Sequence, residues 1–426
     1  MLYSILRPTT RIVLRGYYKK LFVNGQHHIP KNQPVILAVN HPSAFTEPCV
    51  LATHLERELH FLIRGDVINP KVKWFFDQTN QLPIYRFRDG FSSMRQNEKQ
   101  FSYCFDLLAE SGCIVIFAEG STKHIKQTRP IQKGAARIAF GALQNRDIED
   151  VLIVPVGVNF QSSPRPRSIV AVEIGQPIST RQFYPLYEAE ERKGLNAITQ
   201  EIFNGLKPQM VHIEDNARLA PADDLLLFAA HDLNYKTLPV AEYGHDVYFN
   251  RMDGVARSIN QMNATDWENK QEQLEEYVKL LDSHQLSDAG MNPVEHGGLS
   301  WLLLTPLAII GWIFLGPIYW IAFSIQKRLN QKAEYISGFR MAGFLLLVPV
   351  FIILWMVLFG AVWGWWVLIF PLVLPLLSLI GVWWLDGFQT WKQSMKWSRL
   401  PSKHREQILD LRERLMAPFY DDSPNS

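Results

Sequence analysis

The 426-residue chain is 47% hydrophobic and 20% charged, with a formal net charge of +2. Near-balanced charge without a long basic run excludes nucleic acid as the main partner. Cys49, Cys104 and Cys113, an odd number with no CxxC spacing and apolar neighbours, speak against disulfides and a zinc site and for ordinary buried thiols in a reducing compartment. The apolar content is uneven: residues 299–385 are mostly apolar, so the average conceals a membrane segment.

The first stretch, MLYSILRPTTRIVLRGYYKKLFVNG, interleaves apolar residues at helical spacing with Arg7, Arg11, Arg15, Lys19 and Lys20. It holds no unbroken apolar core of signal-peptide length and no small-residue cleavage site, which speaks against export. Residues 1–30 are read as a basic amphipathic helix lying on an anionic membrane surface. The alternative is a helix packing on its own domain.

Residues 31–215 alternate strand and helix. PVILAVN, ELHFLIRG, QLPIYR, GCIVIFAEG and VLIVPVGVNF read as five strands; NPKVKWFFDQTN, MRQNEKQFSYCFDLLAESG and KGAARIAFGALQNR between them carry helical periodicity. In folds of this α/β kind chemistry gathers at the carboxyl ends of strands. His41, Arg86, Glu119 and Gly157 lie at or just past such ends.

The segment VNHPSAFTEP places His41 at a strand exit and Glu47 six positions later, in what should be the first turn of a helix. A carboxylate there is favoured by the helix dipole. It can also fix the tautomer of an imidazole, leaving the second nitrogen to accept a proton from a hydroxyl. Taken alone, a His six residues before a Glu is common and needs no function. LPIYRFRDG sets Arg86 and Arg88 after a strand, suited to a bidentate phosphate contact or simply solvated. IFAEGSTKH supplies Glu119, Gly120, Ser121, Thr122 and Lys123 as a donor-rich turn, and Lys133–Gly134 open a helix whose amides can face an anion. VPVGVN offers a glycine for close backbone approach, or merely for a turn.

In series, the blocks NHPSAFTEP, LPIYRFRDG, FAEGSTKHIKQTRPIQKGAARIAF and VPVGVNF resemble the glycerolipid acyltransferase family, membrane-associated enzymes that acylate glycerol-3-phosphate or lysophosphatidic acid. The resemblance implies a mixed, mostly parallel sheet flanked by helices. It implies His41 as general base, Glu47 as its orienting partner, and Arg86, Glu119, Gly120 and Ser121, with Lys133 added, as binders of the acceptor's phosphate. The commonest family pattern leaves four residues between His and Asp; here five intervene, the acid is Glu, and Thr46 stands at the four-residue position. Branches that carry FLIRGDVI before the second block and KGAARIA after the third share the longer gap, which makes Glu47 the partner. Ala118 replaces a frequent proline, and Lys123 stands near a frequent arginine.

The implied chemistry is acyl transfer from acyl-CoA or acyl carrier protein to the hydroxyl of 1-acylglycerol-3-phosphate, with no covalent enzyme intermediate, no metal and no cofactor beyond the thioester. Glycerol-3-phosphate or another lipid hydroxyl is the alternative acceptor, and a catalytically silent lipid-binding protein is the alternative class. No GxSxG motif exists to support a serine nucleophile.

Residues 216–298 read as polar helices without chemistry. Residues 299–390 form the membrane region, with a re-entrant or spanning segment at 299–325 and a hairpin at 341–385, before a polar tail at 391–426. Three apolar segments without intramembrane charges make a poor translocation path, which speaks against a transporter. Lys327, Arg328, Lys332 and Arg340 follow the first apolar segment, and Lys392, Lys396, Arg399, Lys403 and Arg405 the last, which puts both flanks in the cytoplasm. Pro306 and Gly316–Pro317 are therefore expected to break 299–325 into a helix pair that returns to its starting side. The expectation is an integral membrane protein with a cytoplasmic catalytic domain, in the inner membrane if bacterial.

Overall fold

Strands such as VILAV and CIVIF, apolar at every position, are stable only where both faces are covered. In a computed structural model describing residues 2–65, 68–84, 91–233, 238–291, 302–329 and 332–420, they lie at the centre of a nine-stranded sheet. The chain order is α1 (Leu2–Tyr17), β1 (Lys20–Asn24), β2 (Val35–Val39), α2 (Thr46–His54), β3 (His60–Arg64), α3 (Lys73–Gln78), β4 (Gln81–Ile84), α4 (Phe91–Ala109), β5 (Cys113–Phe117), α5 (Gly134–Asn145), β6 (Leu152–Phe160), β7 (Ile169–Ile174), β8 (Ile178–Ser179), α6 (Tyr184–Ala189) and α7 (Glu191–Leu206). Then come α8 (Leu219–Asp232), β9 (Ala241–Tyr243), α9 (Val247–Gln261), α10 (Ala264–Ser283), α11 (Thr305–Leu329), α12 (Ala333–Trp363), α13 (Phe370–Arg399) and α14 (Ser402–Met416).

Across the sheet the order is β4-β3-β5-β2-β6-β7-β1-β9, with β8 beside the start of β6. The first five strands are mutually parallel, and β7, β1 and β9 are parallel to one another. The direction reverses at the antiparallel β6–β7 pair. This is the mixed, mostly parallel α/β sheet expected. Alternation along β2 sends Val35, Leu37 and Val39 into a core with α1 and α2, and Ile36 and Ala38 into a core with α4, α5 and α7. A third core joins Phe22, Ile169 and Ala171 of the sheet to α8, α9, α10 and α14.

The five strands and three helices read from the pattern are all present, whereas β1, β7 and β9 were not foreseen. The N-terminal helix stops at Tyr17, whose carbonyl accepts from the amide of Arg167, 2.6 Å away. Lys19 N–H then donates to Ser168 O, and KLFVN pairs with β7 and β9 instead of continuing the helix. Tertiary pairing overrides a helical spacing that the basic residues alone would extend.

Of the two readings of α1, packing on the chain's own domain is observed. Leu14 and Tyr17 are buried, and Arg7 and Arg11 donate to the carbonyls of Leu55 and Thr53 at the C-terminal end of α2, where cations complement the helix dipole. Ile5 and Ile12 remain exposed.

Two helical stretches, Leu302–Leu329 and Ala333–Arg399, are long and apolar enough to cross a membrane. Outward Leu346, Ile353, Val357, Val362, Leu372 and Leu376 are exposed. The second stretch is the expected hairpin, turning at Gly364. The first corrects an expectation: α11 is one continuous helix with Pro317 inside it, not a pair of helices. It nevertheless changes partner midway. Thr305 Oγ1 accepts from Trp384 Nε1 (3.1 Å), and Trp312 Nε1 donates to Gly381 O (2.9 Å), both on α13. Phe314 meets Trp355 and Phe370 near the hairpin turn. Tyr319 then meets Phe344, and Gln326 Oε1 accepts from Arg340 Nε (3.1 Å), both on α12. Both ends of α11 therefore lie at the hairpin's base, where the loop after β6 holds it: Arg340 donates to Pro164 O (2.8 Å) and Arg167 pairs with Asp386 (2.6 Å).

Candidate active site

The carboxyl ends of β2 and β5 lie side by side because the strands are parallel neighbours in register, Val39 opposite Phe117. The loops that leave them therefore meet. Asn40, buried, fixes the first loop by exchanging two hydrogen bonds with Val158: its amide donates to the carbonyl (3.1 Å) and its oxygen accepts from the N–H (2.7 Å). His41 follows, its ring stacked on Phe117 with centroids 4.1 Å apart.

Glu47 sits in the first turn of α2, fully buried. Its Oε1 accepts the backbone N–H of Ser43 and lies 3.4 Å from His41 Nδ1, a distance slightly longer than a strong hydrogen bond. Oε2 of Glu47 has no hydrogen-bond partner among the described residues. Burial pushes the Glu47 carboxyl above the ordinary range, while His41 and the Ser43 amide oppose that rise. The five-residue gap is what lets the acid lie on the helix and still reach back to the imidazole.

Glu119 joins the two loops. Its Oε2 accepts from the backbone N–H of His41 (3.2 Å) and from the guanidinium of Arg129, and its side chain is only 3% exposed. Gly120 turns the chain with φ +66°, a conformation that disfavours any side chain. Arg129 also donates to Ser121 Oγ (2.8 Å) and to the Ser121 carbonyl. Lys123 N–H donates to His41 O (3.1 Å), which closes the ring of contacts.

His41, Glu47, Glu119, Gly120 and Ser121 are thus brought together. Lys133 is the cap residue of α5, next to Gln132, whose N–H donates to Ala118 O (2.7 Å), and its ammonium makes no polar contact among the described residues. Arg86 and Arg88 lie outside the described residues. Gly157 does allow close approach, since a side chain there would strike the carbonyl of Gln209. Arg129 was missed by sequence reasoning, although a lone arginine between EGS and KGAAR in KQTRPIQKGAAR was the available signal. The cysteines are free, and burial pushes each thiol up to about 12, so they are not nucleophiles. No cluster able to hold a metal ion occurs among the described residues.

A buried carboxylate facing an imidazole at a strand exit, beside an ion-paired Glu-Gly turn, is an arrangement able to draw a proton from a hydroxyl. Residues 20–159 match the family model described as Acyltransferase, which places an acyltransferase domain in this part of the chain. The match begins at the first residue of β1 and ends inside β6, so it covers the whole constellation.

Among curated relatives the chain is similar to glycerol-3-phosphate O-acyltransferase 1 of Saccharomyces cerevisiae, 26% identical over 54% of this chain and 31% of that protein. It is also similar to glycerol-3-phosphate O-acyltransferase 2 of the same yeast, 31% identical over 26% of this chain and 15% of that protein. The chain thus spans less than a third of the length of either. Among solved structures, the 1-acyl-sn-glycerophosphate (LPA) acyltransferase from Thermotoga maritima aligns over 46% of this chain and 78% of its own, with 19% identity and a TM-score of 0.32.

Proposed function

We propose that the protein is a membrane-bound O-acyltransferase of phospholipid synthesis that moves a fatty acyl group from acyl-CoA or acyl carrier protein to the hydroxyl of 1-acylglycerol-3-phosphate. The observation that carries this reading is the approach of His41 Nδ1 to the buried carboxylate of Glu47. With Nδ1 facing that carboxylate, Nε2 takes the proton of the acceptor hydroxyl. The oxygen attacks the thioester carbonyl carbon, the tetrahedral adduct collapses with cleavage of the C–S bond, and the imidazolium returns its proton to the departing thiolate. No cofactor is needed beyond the thioester. In this reading Arg129 and the Glu119–Gly120–Ser121 turn receive the anionic headgroup, with Arg86 as the second expected cation.

The names of the two yeast relatives favour a second reading, in which glycerol-3-phosphate is the acceptor. Purified full-length protein in phospholipid nanodiscs, offered each acceptor with each thioester, separates the two. Transfer to 1-acylglycerol-3-phosphate that His41→Ala removes supports the first; a preference of tenfold or more for glycerol-3-phosphate replaces it with the second. Absence of transfer to any lipid hydroxyl assigns the chain to the catalytically silent lipid-binding class.

We also propose that the catalytic domain faces the cytoplasm and that α11 enters the membrane without crossing it. Support comes from the core shared by α10, before α11, and α14, after α13. Elements packed in one core lie on one side of a membrane, so the intervening chain crosses an even number of times, and the α12–α13 hairpin accounts for two.

A further inference from the structure

The catalytic loop between β2 and α2 is held from outside its own domain. Ser43 and Thr46, both fully buried, turn their hydroxyls to Ser337 near the start of α12. Ser43 Oγ lies 3.0 Å and Thr46 Oγ1 2.9 Å from Ser337 Oγ, and Ser43 donates to Thr46 at 3.1 Å. Ser163, on the loop after β6, adds its hydroxyl to Ser337 at 3.0 Å. A hydroxyl has one proton to give and two lone pairs to offer, so three neighbours saturate Ser337 at the centre of the group. Between the two loop hydroxyls, Ala44 N–H donates to Glu334 O of α12 (3.0 Å). Phe45 lies so close to Gly338 that a Cβ there would stand 2.7 Å from its ring. Each of residues 43–46 is therefore gripped by one turn of α12, and this same loop presents the Ser43 amide to Glu47.

We propose that Ser337 and Gly338, at the base of the membrane hairpin, are positioning residues for the His41–Glu47 pair. The hairpin then sets the geometry of the catalytic centre as well as anchoring it. The inference rests on the acyl-transfer reading for its kinetic arm, but not for its structural one. A displacement of about 1 Å at a general base is enough to cost on the order of 10²-fold in rate. A loosened loop should lower kcat and leave substrate recognition at the Glu119–Arg129 turn in place.

The test uses the full chain in nanodiscs. Ser337→Ala is expected to lower kcat by about 10- to 100-fold, with KM for acceptor and thioester changed less than about threefold. Ser163→Ala, which touches Ser337 but not the loop, should stay within about threefold of wild type by the same reasoning. Gly338→Ala should be as damaging as Ser337→Ala, and adding Phe45→Gly, which removes the obstructing side chain, should recover most of the loss. Hydrogen exchange read on peptides covering residues 40–48 should rise about tenfold in Ser337→Ala while β2 and β5 stay protected, a local opening below the global one. Unchanged kcat and unchanged loop exchange in Ser337→Ala overturn the proposal. So does an increase in exchange spread over the whole sheet, which would make Ser337 a general stability residue. If wild-type protein transfers no acyl group, the acyl-transfer reading falls, and the exchange experiment alone decides whether α12 holds the loop.

Discussion

Oε1 of Glu47 stands 3.4 Å from His41 Nδ1 and takes the Ser43 N–H as well. One buried oxygen thus holds the loop and faces the ring. His41→Ala should lower kcat by on the order of 10²–10⁴-fold with the fold intact, the range a general base supplies. Glu47→Gln keeps the shape but loses the charge that stabilises imidazolium, and should also fall sharply; Glu47→Asp keeps the charge and should fall less. A fully active Glu47→Gln would remove Glu47 from the mechanism.

The same carboxyl predicts an effect of opposite sign on stability. Burial raises the Glu47 carboxyl in the folded chain above its unfolded value. A group with a raised folded value binds its proton better in the fold, so its contribution is most favourable below the unfolded value and declines as pH rises through the window up to the raised one. At neutral pH Glu47→Gln should therefore melt at a higher temperature than wild type, and the difference should shrink in acid. Activity should run the other way, with its acidic limb above the ordinary carboxylate range, because protonated Glu47 cannot support imidazolium. Thermal melts and kcat measured across pH on both proteins check the two signs together.

How much of this was legible follows from which interactions are local. His41, Glu47 and the Glu119–Gly120–Ser121 turn lie within short stretches whose residue types state their chemistry, and the strands that carry them announce themselves by uninterrupted apolar runs. β9 was hidden because a three-residue edge strand is defined by its partner, and AEY has no strand signal apart from its pairing with β1; β7, an interior strand of sequence IVAVEI, carried an apolar run that went unread, and β1 was masked by the basic residues that extend the helical spacing. Ser337 lies nearly 300 residues beyond the loop it holds, and a serine at the start of a membrane helix carries no mark of that contact. Lys133, read as part of an anion site, stands at the cap of α5, where a good helix start and an anion site look alike in sequence.

Arg129 and Glu119 form a nearly buried ion pair, with side chains 16% and 3% exposed. Removing one partner of such a pair strands the other charge, at a cost of about 3–5 kcal/mol. Arg129→Ala should destabilise the domain by roughly that amount in urea unfolding. Arg129→Met combined with Glu119→Gln should recover most of the stability and none of the activity, because the turn would keep its packing and lose its charge. Recovery of activity in the double variant would show that the pair serves only the fold.

The last prediction concerns α11. Its register against α13 and then α12 returns both ends to the base of the hairpin, with Gly316–Pro317 close to where the partner changes. Pro317 has no N–H to donate to the preceding turn, so the helix yields there most easily. The basic residues at the ends agree with this arrangement, since Lys327, Arg328 and Arg340 stand beside one end of the hairpin and Lys392, Lys396 and Arg399 beside the other. Single cysteines placed at Leu303, Arg328 and Trp366, in a chain whose Cys49, Cys104 and Cys113 are replaced, report the topology through an impermeant thiol reagent in intact cells. Trp366, exposed at the hairpin turn, should label from outside, whereas positions 303 and 328 should both label only after the cells are opened. Three simple spans would instead put 303 and 328 on opposite sides, and that outcome would overturn the proposed cytoplasmic placement of the domain.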